Sequence, residues 1–336
     1  MTASRPLALS GTNGLDTPHR APRRRLGPAG PQVGAVGYGA MGLSWAYGDP
    51  DPSPERYHRV LQDAADSGAC MVDTADLYGP FTNEILVGEA LRGRRDDVVL
   101  ATKGGLYTTD PAVHAVHRNG RPEHLRAAAK ASLRRLGTDV IDLYYLHRVD
   151  EQVPLADQWG TLAELVTEGD VRQIGLSEGT VEQLQQAHAQ HPVAAVQSEL
   201  SLWTRDHLTD VVPWCANHQA AFVAYAPLGR GWLTGTTPAS FEPGDFRARN
   251  PRYAAAARTD NLALVDIVRT VAERHGRTPA QVALAWVLTR GPHVIAIPGT
   301  TRPGRLAENL AAADLALTAD DLTQLDALPA ATGDRY

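Results

Sequence analysis

The feature that most restricts the fold is an alternation of short apolar runs with amphipathic stretches, repeated along almost the whole chain. Because the runs are continuously apolar rather than alternating, each is predicted to be a strand buried on both faces, as in a parallel sheet. The strand-length runs are Val33–Val36, Cys70–Val72, Val98–Ala101, Ile141–Leu146, Val171–Leu176, Ala194–Val196, Ala221–Ala224 and Val294–Ile297.

The stretches between these runs have the apolar period of helices, and several begin with a proline that suits the first helical turn. The predicted helices are Pro54–Ser67, Asn83–Arg92, Pro122–Leu136, Leu155–Glu168, Val181–His188, Leu208–His218, Leu262–His275 and Pro303–Ala313, with Pro279–Leu288 and Ala319–Leu328 as extra helices towards the carboxyl terminus. Strand–helix units in this number predict an α/β fold, a single (β/α)8 TIM barrel with its helices outside. A doubly wound open sheet is the alternative.

The beginning of the chain differs from the rest. Residues 1–22 are rich in Thr, Pro, Arg and Gly without an apolar period, so we expect a disordered N-terminal tail. Residues 23–336 are predicted to be one domain. Within it, Arg23–Leu26 and Gln32–Val36 flank a Gly- and Pro-rich turn, which predicts an N-terminal β-hairpin ahead of the barrel.

Charge and composition exclude several classes of partner. A formal charge of -6 and a pI near 6.0 disfavour nucleic acid and anionic membranes, which need a basic face. Cys70 and Cys215 are too few for a disulfide framework and are not spaced as metal ligands. The cluster Arg23–Arg25 is not followed by the apolar core of a signal peptide. We therefore expect a cytoplasmic protein with a small-molecule partner and no metal, and the oligomeric state stays open.

A glycine motif follows the first predicted strand. Gly37–Gly42 fits the dinucleotide fingerprint G-x-G-x-x-G, which requires its third glycine to lie in a helix that opens towards the pyrophosphate. Here the following residues, Leu43–Pro50, have the composition of a loop. The motif is therefore predicted to be a flexible turn at the mouth of the barrel.

Polar side chains follow three successive strands. Asp73 and Tyr78 follow the run that ends at Val72, Lys103 ends the next run, and His147 ends the one after. Since the carboxyl ends of barrel strands share one face, these four side chains are expected to converge there. Taken singly, each has another explanation: Asp73 as a helix cap, or Lys103 as a solvated charge.

The order of these residues resembles the aldo-keto reductase superfamily, from Arg24 to Leu328. The matching segments are Val72–Ala75 with Tyr78–Gly79, Ala101–Lys103, Leu143–His147, Gly175–Glu178, Val196–Gln197, Ala224–Gly231 and Ile297–Thr301, followed by Arg305 and Glu308–Asn309. The resemblance implies an NADPH-dependent carbonyl reductase whose catalytic residues are Asp73, Tyr78, Lys103 and His147.

Carbonyl reduction is consistent with those four residue types. Tyrosine is a poor acid, with a reference pKa of ~10, unless a cation stabilises its phenolate. Lys103 can be that cation, with Asp73 to orient it, and His147 can donate a ring N–H to the carbonyl oxygen.

The resemblance also implies a set of cofactor contacts. Ser177, Glu178 and Gln197 would hold the nicotinamide carboxamide, Tyr225 would stack on the ring, and Leu228–Gly231 would follow the pyrophosphate. The family often has asparagine where this chain has Glu178, whose carboxylate can only accept hydrogen bonds. The full predicted set is Gly39, Ala40, Met41, Ser177, Glu178, Gln197, Tyr225, Pro227, Leu228, Gly229, Arg230, Gly231, Gly299, Thr300, Thr301, Arg302, Arg305, Glu308 and Asn309.

Independently of the resemblance, the segment Gly299–Arg305 follows the eighth strand and opens a helix, which is where barrels bind phosphate. Arg302 and Arg305 could donate to an additional phosphate, which favours NADP(H) over NAD. The alternative is that both arginines only face solvent on a helix.

Aromatic and apolar residues are expected at the rim of the pocket and suit an aldehyde or ketone, although ordinary packing would also explain them. The predicted substrate-binding residues are Trp45, Tyr47, Tyr107 and Trp203, beside Met41. One rival function is open: a nucleotide-binding redox sensor of the same fold, similar to the potassium-channel beta subunits. A hydrolase or isomerase would need metal ligands or paired carboxylates at the strand ends, which the sequence does not offer.

Overall fold

The computed structural model describes residues 22–47, 52–67, 70–113, 115–236, 240–241 and 244–335. The strands and helices, in chain order, are β1 (Arg23–Arg25), β2 (Gln32–Gly34), β3 (Tyr38–Gly39), α1 (Pro54–Asp66), β4 (Cys70–Asp73), α2 (Thr82–Ala90), β5 (Val98–Gly104), β6 (Leu106–Asp110), β7 (Ala115–Arg118), α3 (Pro122–Leu136), β8 (Ile141–Leu146), α4 (Leu155–Glu168), β9 (Val171–Ser177), α5 (Val181–Gln190), β10 (Ala195–Glu199), α6 (Val211–Asn217), β11 (Ala221–Tyr225), α7 (Ala255–Arg274), α8 (Pro279–Leu288), β12 (Val294–Ala296), α9 (Pro303–Leu310) and α10 (Ala319–Asp326).

A parallel sheet of 8 strands forms the centre of the described chain, in the order β3, β4, β5, β8, β9, β10, β11 and β12. Its two outer strands meet: Val36 bridges Ala296 in parallel, and the Gly39 N–H donates to the Pro298 carbonyl over 3.2 Å. Helices lie between successive strands, so the predicted (β/α)8 fold is confirmed.

The hairpin of β1 and β2 closes the amino end of the barrel. Leu26 and Val33 are fully buried and pack in the same cluster as Met71 and Leu143 from inside the barrel. The Arg24 guanidinium donates to the Leu288 carbonyl over 2.9 Å and so fastens the hairpin to the end of α8. With one end covered, the carboxyl end of the strands is left as the face for a site.

The first barrel strand is not the one that the sequence predicted. Gln32–Gly34 belongs to the hairpin, and the barrel strand is Tyr38–Gly39, inside the glycine motif that was expected to be a turn. The cause is steric: a Cβ at Gly39 would lie 2.8 Å from the Ile297 oxygen, and one at Gly299 would lie 2.9 Å from the Gly39 oxygen. Glycine therefore permits the close approach that closes the barrel.

The helices follow the predicted periods, with shifts at their ends. The predicted bounds of α3, α4 and α8 match, whereas α7 begins at Ala255 rather than Leu262 and α6 at Val211 rather than Leu208. The β6–β7 hairpin was not predicted. None of the helices in the described ranges combines the length and the apolarity that crossing a bilayer requires. The predicted tail, residues 1–22, lies outside the described residues except for its last position.

Candidate active site

Four side chains, here called the tetrad, converge at the carboxyl ends of β4, β5 and β8: Asp73, Tyr78, Lys103 and His147. The strands place them together because β5 pairs with both β4 and β8. The Lys103 ammonium donates to Asp73 Oδ1 over 2.5 Å, to the Thr74 carbonyl over 2.8 Å and to Tyr78 Oη over 3.2 Å. The convergence predicted from the sequence is therefore present in the structure.

Asp73 and Lys103 form a buried ion pair, with 3% and 1% of their surface exposed. Burial raises the pKa of Asp73, while Lys103 and the Gln197 amide, which donates to Oδ2 over 2.7 Å, oppose that rise. Burial lowers the pKa of Lys103, but Asp73 and Tyr78 outweigh it and leave that pKa raised. Lys103 therefore remains a cation beside the tyrosine hydroxyl.

Tyr78 lies in the turn after β4, where its N–H donates to the Ala75 carbonyl over 3.2 Å. Burial raises the pKa of Tyr78 above its ordinary 10.0, and Lys103 only partly opposes this. The hydroxyl therefore keeps its proton at neutral pH, and Lys103 lies where a cation would stabilise a phenolate.

The His147 ring lies edge-on to Tyr78, with ring centroids 6.0 Å apart at 84°. Its Nδ1 is buried and has no hydrogen-bond partner among the described residues. Burial, together with Lys103 and Arg148, holds the pKa of His147 well below its ordinary value. The imidazole is consequently neutral and can donate from one nitrogen only.

An apolar wall surrounds Tyr78 and consists of the buried side chains of Trp45, Leu77 and Leu106, with Met41 packed against them. Trp45 and Met41 were predicted at the rim of the pocket. Leu77 and Leu106 were not; the apolar residues beside Tyr78 and after Lys103 are the only signal that pointed to them.

The other predicted substrate residues have neighbours of their own. The Tyr47 ring is covered by the Arg247 guanidinium, 4.8 Å from its centroid. Trp203 is buried against Trp232, with centroids 5.3 Å apart. Tyr107 on β6 is 42% exposed. The structure thus places Trp45 beside the tetrad, Tyr47 and Trp203 in packed clusters, and Tyr107 at the surface.

The predicted carboxamide residues lie at the ends of adjacent strands, since Gln197 on β10 pairs with Ser177 on β9. Ser177 Oγ accepts from Arg148 over 2.9 Å. Glu178 has a left-handed backbone with φ 57°, and its Oε1 accepts from the Glu199 N–H over 3.0 Å and from Arg335 over 2.7 Å. Neither Arg148 nor Arg335 was predicted.

The predicted pyrophosphate loop has an unusual backbone. Gly229, Arg230 and Gly231 have φ values of 56°, 57° and 105°, all left-handed. Ala226, just before the loop, is also left-handed, with φ 48°. Within this loop the Gly229 N–H donates to the Ala226 carbonyl over 2.9 Å and the Gly231 N–H donates to the Leu228 carbonyl over 3.1 Å, so these two groups hold the turn itself.

The loop after β12 reaches the start of α9, and Tyr38 Oη donates to its Thr300 carbonyl over 2.6 Å. Arg302 and Arg305 are exposed there, and neither guanidinium makes a hydrogen bond or ion pair with another described residue. Glu308, in contrast, accepts from Thr278 Oγ1 over 2.7 Å at the start of α8.

The remaining predicted contacts are at the seam of the barrel or buried. The Ala40 carbonyl accepts from the Asn83 amide over 2.9 Å, next to Gly39. Asn309 is buried on α9. The structure therefore groups the predicted cofactor residues around the carboxyl end of the barrel, with Glu308 turned towards α8.

The fold and the site together define a class: a (β/α)8 barrel with a buried polar site at the carboxyl ends of its strands, where barrel enzymes have their active sites. The chain belongs to the aldo/keto reductase family, whose model matches residues 35–330, and it is therefore an oxidoreductase. The superfamily predicted from the sequence is confirmed.

Solved structures of similar proteins agree. A glycerol dehydrogenase from Gluconobacter oxydans is 30% identical over 91% of this chain and 94% of its own, with a TM-score of 0.83. An aldo-keto reductase from Klebsiella pneumoniae, solved in complex with NADPH, is 28% identical over 94% and 96% of the two chains, with a TM-score of 0.70. A thermostable aldo-keto reductase, solved with the inhibitor epalrestat, is 28% identical over 91% and 99%, with a TM-score of 0.72.

Proposed function

We propose that this protein is an NADPH-dependent reductase that converts an aldehyde or ketone into an alcohol, with Tyr78 as the general acid. One observation carries the proposal: the Lys103 ammonium lies 3.2 Å from Tyr78 Oη while it is paired with Asp73. Tyr78 Oη is the third acceptor of this buried ammonium, after Asp73 Oδ1 and the Thr74 carbonyl, so the hydroxyl is held against a cation. Its position there stabilises the phenolate, which is what a tyrosine acid requires.

The residues present fit the proposed cofactor. When bound, NADPH supplies the hydride that the carbonyl carbon receives. Ser177 and Gln197, on paired strands, offer polar groups for a carboxamide. Arg302 and Arg305, which have no partners among the described residues, offer guanidinium groups for a phosphate of the cofactor. The Klebsiella pneumoniae relative, solved in complex with NADPH, supports the same choice.

Each tetrad residue then has one task. Tyr78 gives its proton to the carbonyl oxygen, and Lys103 lowers the free energy of the phenolate that remains. Asp73 holds Lys103 in place through its 2.5 Å contact. His147, held neutral, donates a single N–H to the oxygen as negative charge develops on it.

The apolar wall indicates the kind of substrate. Trp45, Leu77 and Leu106 are buried beside Tyr78, so the part of the substrate next to the carbonyl meets hydrocarbon and an indole. A closed apolar site also excludes water from the proton transfer and strengthens the electrostatic contribution of Lys103. Small aldehydes and ketones with an apolar or aromatic substituent are the class that fits.

The test is Tyr78→Phe, with Tyr57→Phe on the outer helix α1 as the matched control. Tyr78→Phe keeps the ring and its contact with His147, so NADPH should bind with nearly unchanged affinity, which tryptophan fluorescence measures. Single-turnover reduction of a nitrobenzaldehyde should fall about 10²–10⁴-fold, or roughly 3 to 5.5 kcal/mol of barrier. The control should turn over like the unmodified protein.

Two outcomes would count against the proposal. Reduction by Tyr78→Phe at the unmodified rate would show that Tyr78 is not the acid. If the unmodified protein binds NADPH but reduces no carbonyl compound on a broad panel, a nucleotide-binding redox sensor becomes the better explanation.

A further inference from the structure

The carboxyl-terminal segment, residues 331–335, returns to the open end of the barrel after α10. The Thr332 N–H donates to Asn261 Oδ1 over 2.9 Å, and the Asn261 amide donates back to the Thr332 carbonyl over 3.0 Å. The Asn250 amide donates to the Arg335 carbonyl over 2.8 Å. These hydrogen bonds between asparagine side chains and the backbone of the segment fix the position from which the Arg335 side chain projects.

The Arg335 guanidinium lies between two carboxylates. Its Nη2 donates to Glu178 Oε1 over 2.7 Å and its Nε donates to Glu199 Oε2 over 2.9 Å. Nη2 also donates to Tyr225 Oη. Glu199 is only 1% exposed and has a second cation, Arg230, at 3.1 Å. Glu178, by contrast, has no other cation among the ion pairs of the described residues.

Glu178 and Tyr225 are the two contacts of Arg335 that belong to the proposed nicotinamide site. A carboxylate has no N–H to offer a carboxamide, so Glu178 can only accept from the amino group. Its Oε1 is taken by Arg335 and the Glu199 N–H, whereas its Oε2 has no partner among the described residues. The pKa of Glu178 agrees with this pairing: burial raises it, but Arg335, together with Arg148 and the Glu199 N–H, outweighs burial and leaves it lowered.

We infer that Arg335 is a positioning residue for the nicotinamide end of the cofactor. By holding Oε1 of Glu178 and the hydroxyl of Tyr225, it points Oε2 of Glu178 at the carboxamide amino group and fixes the plane of the Tyr225 ring. It also neutralises a carboxylate at a position where the family often has a neutral asparagine. The inference rests on the proposed function, because it assigns Arg335 a role in that site.

The experiment measures NADPH dissociation constants by tryptophan fluorescence, alongside KM for NADPH and kcat for aldehyde reduction. Arg335→Ala should raise the dissociation constant and KM about 10- to 100-fold, the size expected when charged hydrogen bonds are removed. The value of kcat at saturating NADPH should change less than about threefold, because the tetrad is untouched. Arg335→Lys should recover part of the affinity. Arg249→Ala, an exposed arginine in the neighbouring loop, is the control and should bind like the unmodified protein.

A double-mutant cycle separates positioning from simple anchoring of the segment. In a Glu178→Gln background the Glu178 charge that Arg335 holds is gone, while Glu199 keeps Arg230 as a cation in either case, so Arg335→Ala should raise the dissociation constant less than about threefold. If Arg335 only anchors the carboxyl-terminal segment, Arg335→Ala would weaken NADPH binding equally in both backgrounds, and that result would overturn the inference. Unchanged or tighter NADPH binding by Arg335→Ala would overturn the inference as well. Tighter binding would show that the carboxyl-terminal segment obstructs the site.

The failure of the proposed function would look different. If the unmodified protein binds no NADPH, both ideas fall together. If Tyr78→Phe keeps its turnover while Arg335→Ala still weakens NADPH binding, the acid assignment fails and the positioning role of Arg335 stands. Melting temperatures of all variants identify any that fail to fold, and Arg335→Lys, which keeps the charge, then carries the test.

Discussion

Replacing Lys103 with methionine would remove the cation of the tetrad while nearly preserving side-chain volume. Three hydrogen bonds from Nζ disappear, and Asp73 keeps only the Gln197 amide, 2.7 Å away, as a side-chain partner among the described residues. Asp73 is 3% exposed, so its charge would be left buried without a cation. Removing one partner of a buried pair costs about 3 to 5 kcal/mol of folding free energy. Lys103→Met should therefore lose stability as well as turnover.

A second variant, Lys103→Met with Asp73→Asn, separates the two losses. An asparagine oxygen still accepts from Gln197, and no unpaired charge remains, so most of the folding free energy should return. Turnover should stay reduced by about 10²–10⁴-fold, because the phenolate of Tyr78 has no cation. Urea unfolding measures the first quantity and single-turnover aldehyde reduction the second.

The dependence of folding stability on pH provides a further check on the pair of Lys103 and Asp73. The folded-state pKa of Lys103 is raised. The stabilisation of the fold by Lys103 is therefore complete at neutral pH and is lost only as the pH rises through that raised value. The reasoning would be refuted if Lys103→Met unfolded within about 1 kcal/mol of the unmodified protein at pH 7. Recovery of turnover in the double variant would equally refute the role given to Lys103.

Two further predictions concern the ends of α9 and α10. Replacing Arg302 and Arg305 with alanine should weaken NADPH binding about 10- to 100-fold for each charged hydrogen bond that is removed, while leaving the NADH dissociation constant nearly unchanged; equal affinity of the unmodified protein for both cofactors would remove the basis for NADP(H). Asp321→Asn should destabilise the fold by about 1 to 3 kcal/mol at pH 7, because Asp321 accepts from Thr318 and from His275, each over 2.7 Å. Burial raises the pKa of Asp321, but these hydrogen bonds lower it to about 2, so the difference in unfolding free energy should be present above the ordinary pKa and vanish as the pH falls towards 2.

The sequence was sufficient for the barrel and for the convergence of the tetrad. Both depend on local patterns combined with one geometric rule, since a residue at the carboxyl end of a parallel strand must lie on the same face as its counterparts. Asp73, Lys103 and His147 each end or directly follow an apolar run, so their positions in the sequence determined their positions in the fold. The prediction of the first barrel strand was wrong because Tyr38–Gly39 is only 2 residues long and carries no apolar run.

Contacts that depend on loops and on the chain terminus could not be predicted from the sequence. Nothing in the pattern around Arg335 indicates that it returns to Glu178, 157 positions earlier in the chain. The β6–β7 hairpin is mostly exposed and polar, which leaves no apolar alternation to detect. For Tyr78, the sequence indicated the sign of the effect of Lys103 on the pKa, but the larger effect of burial depends on the tertiary structure.

The ion pairs at the open end of the barrel determine the electrostatic field that a carbonyl oxygen would meet. Reduction places negative charge on that oxygen, and an uncompensated carboxylate nearby would oppose it. Asp73 is paired with Lys103, and Glu178 and Glu199 are both paired with Arg335. With these three acids compensated, the cation beside Tyr78 is the charge closest to the proton that Tyr78 would transfer in the proposed reaction. Burial lowers the pKa of His147, and Lys103 and Arg148 lower it further because they disfavour an additional positive charge.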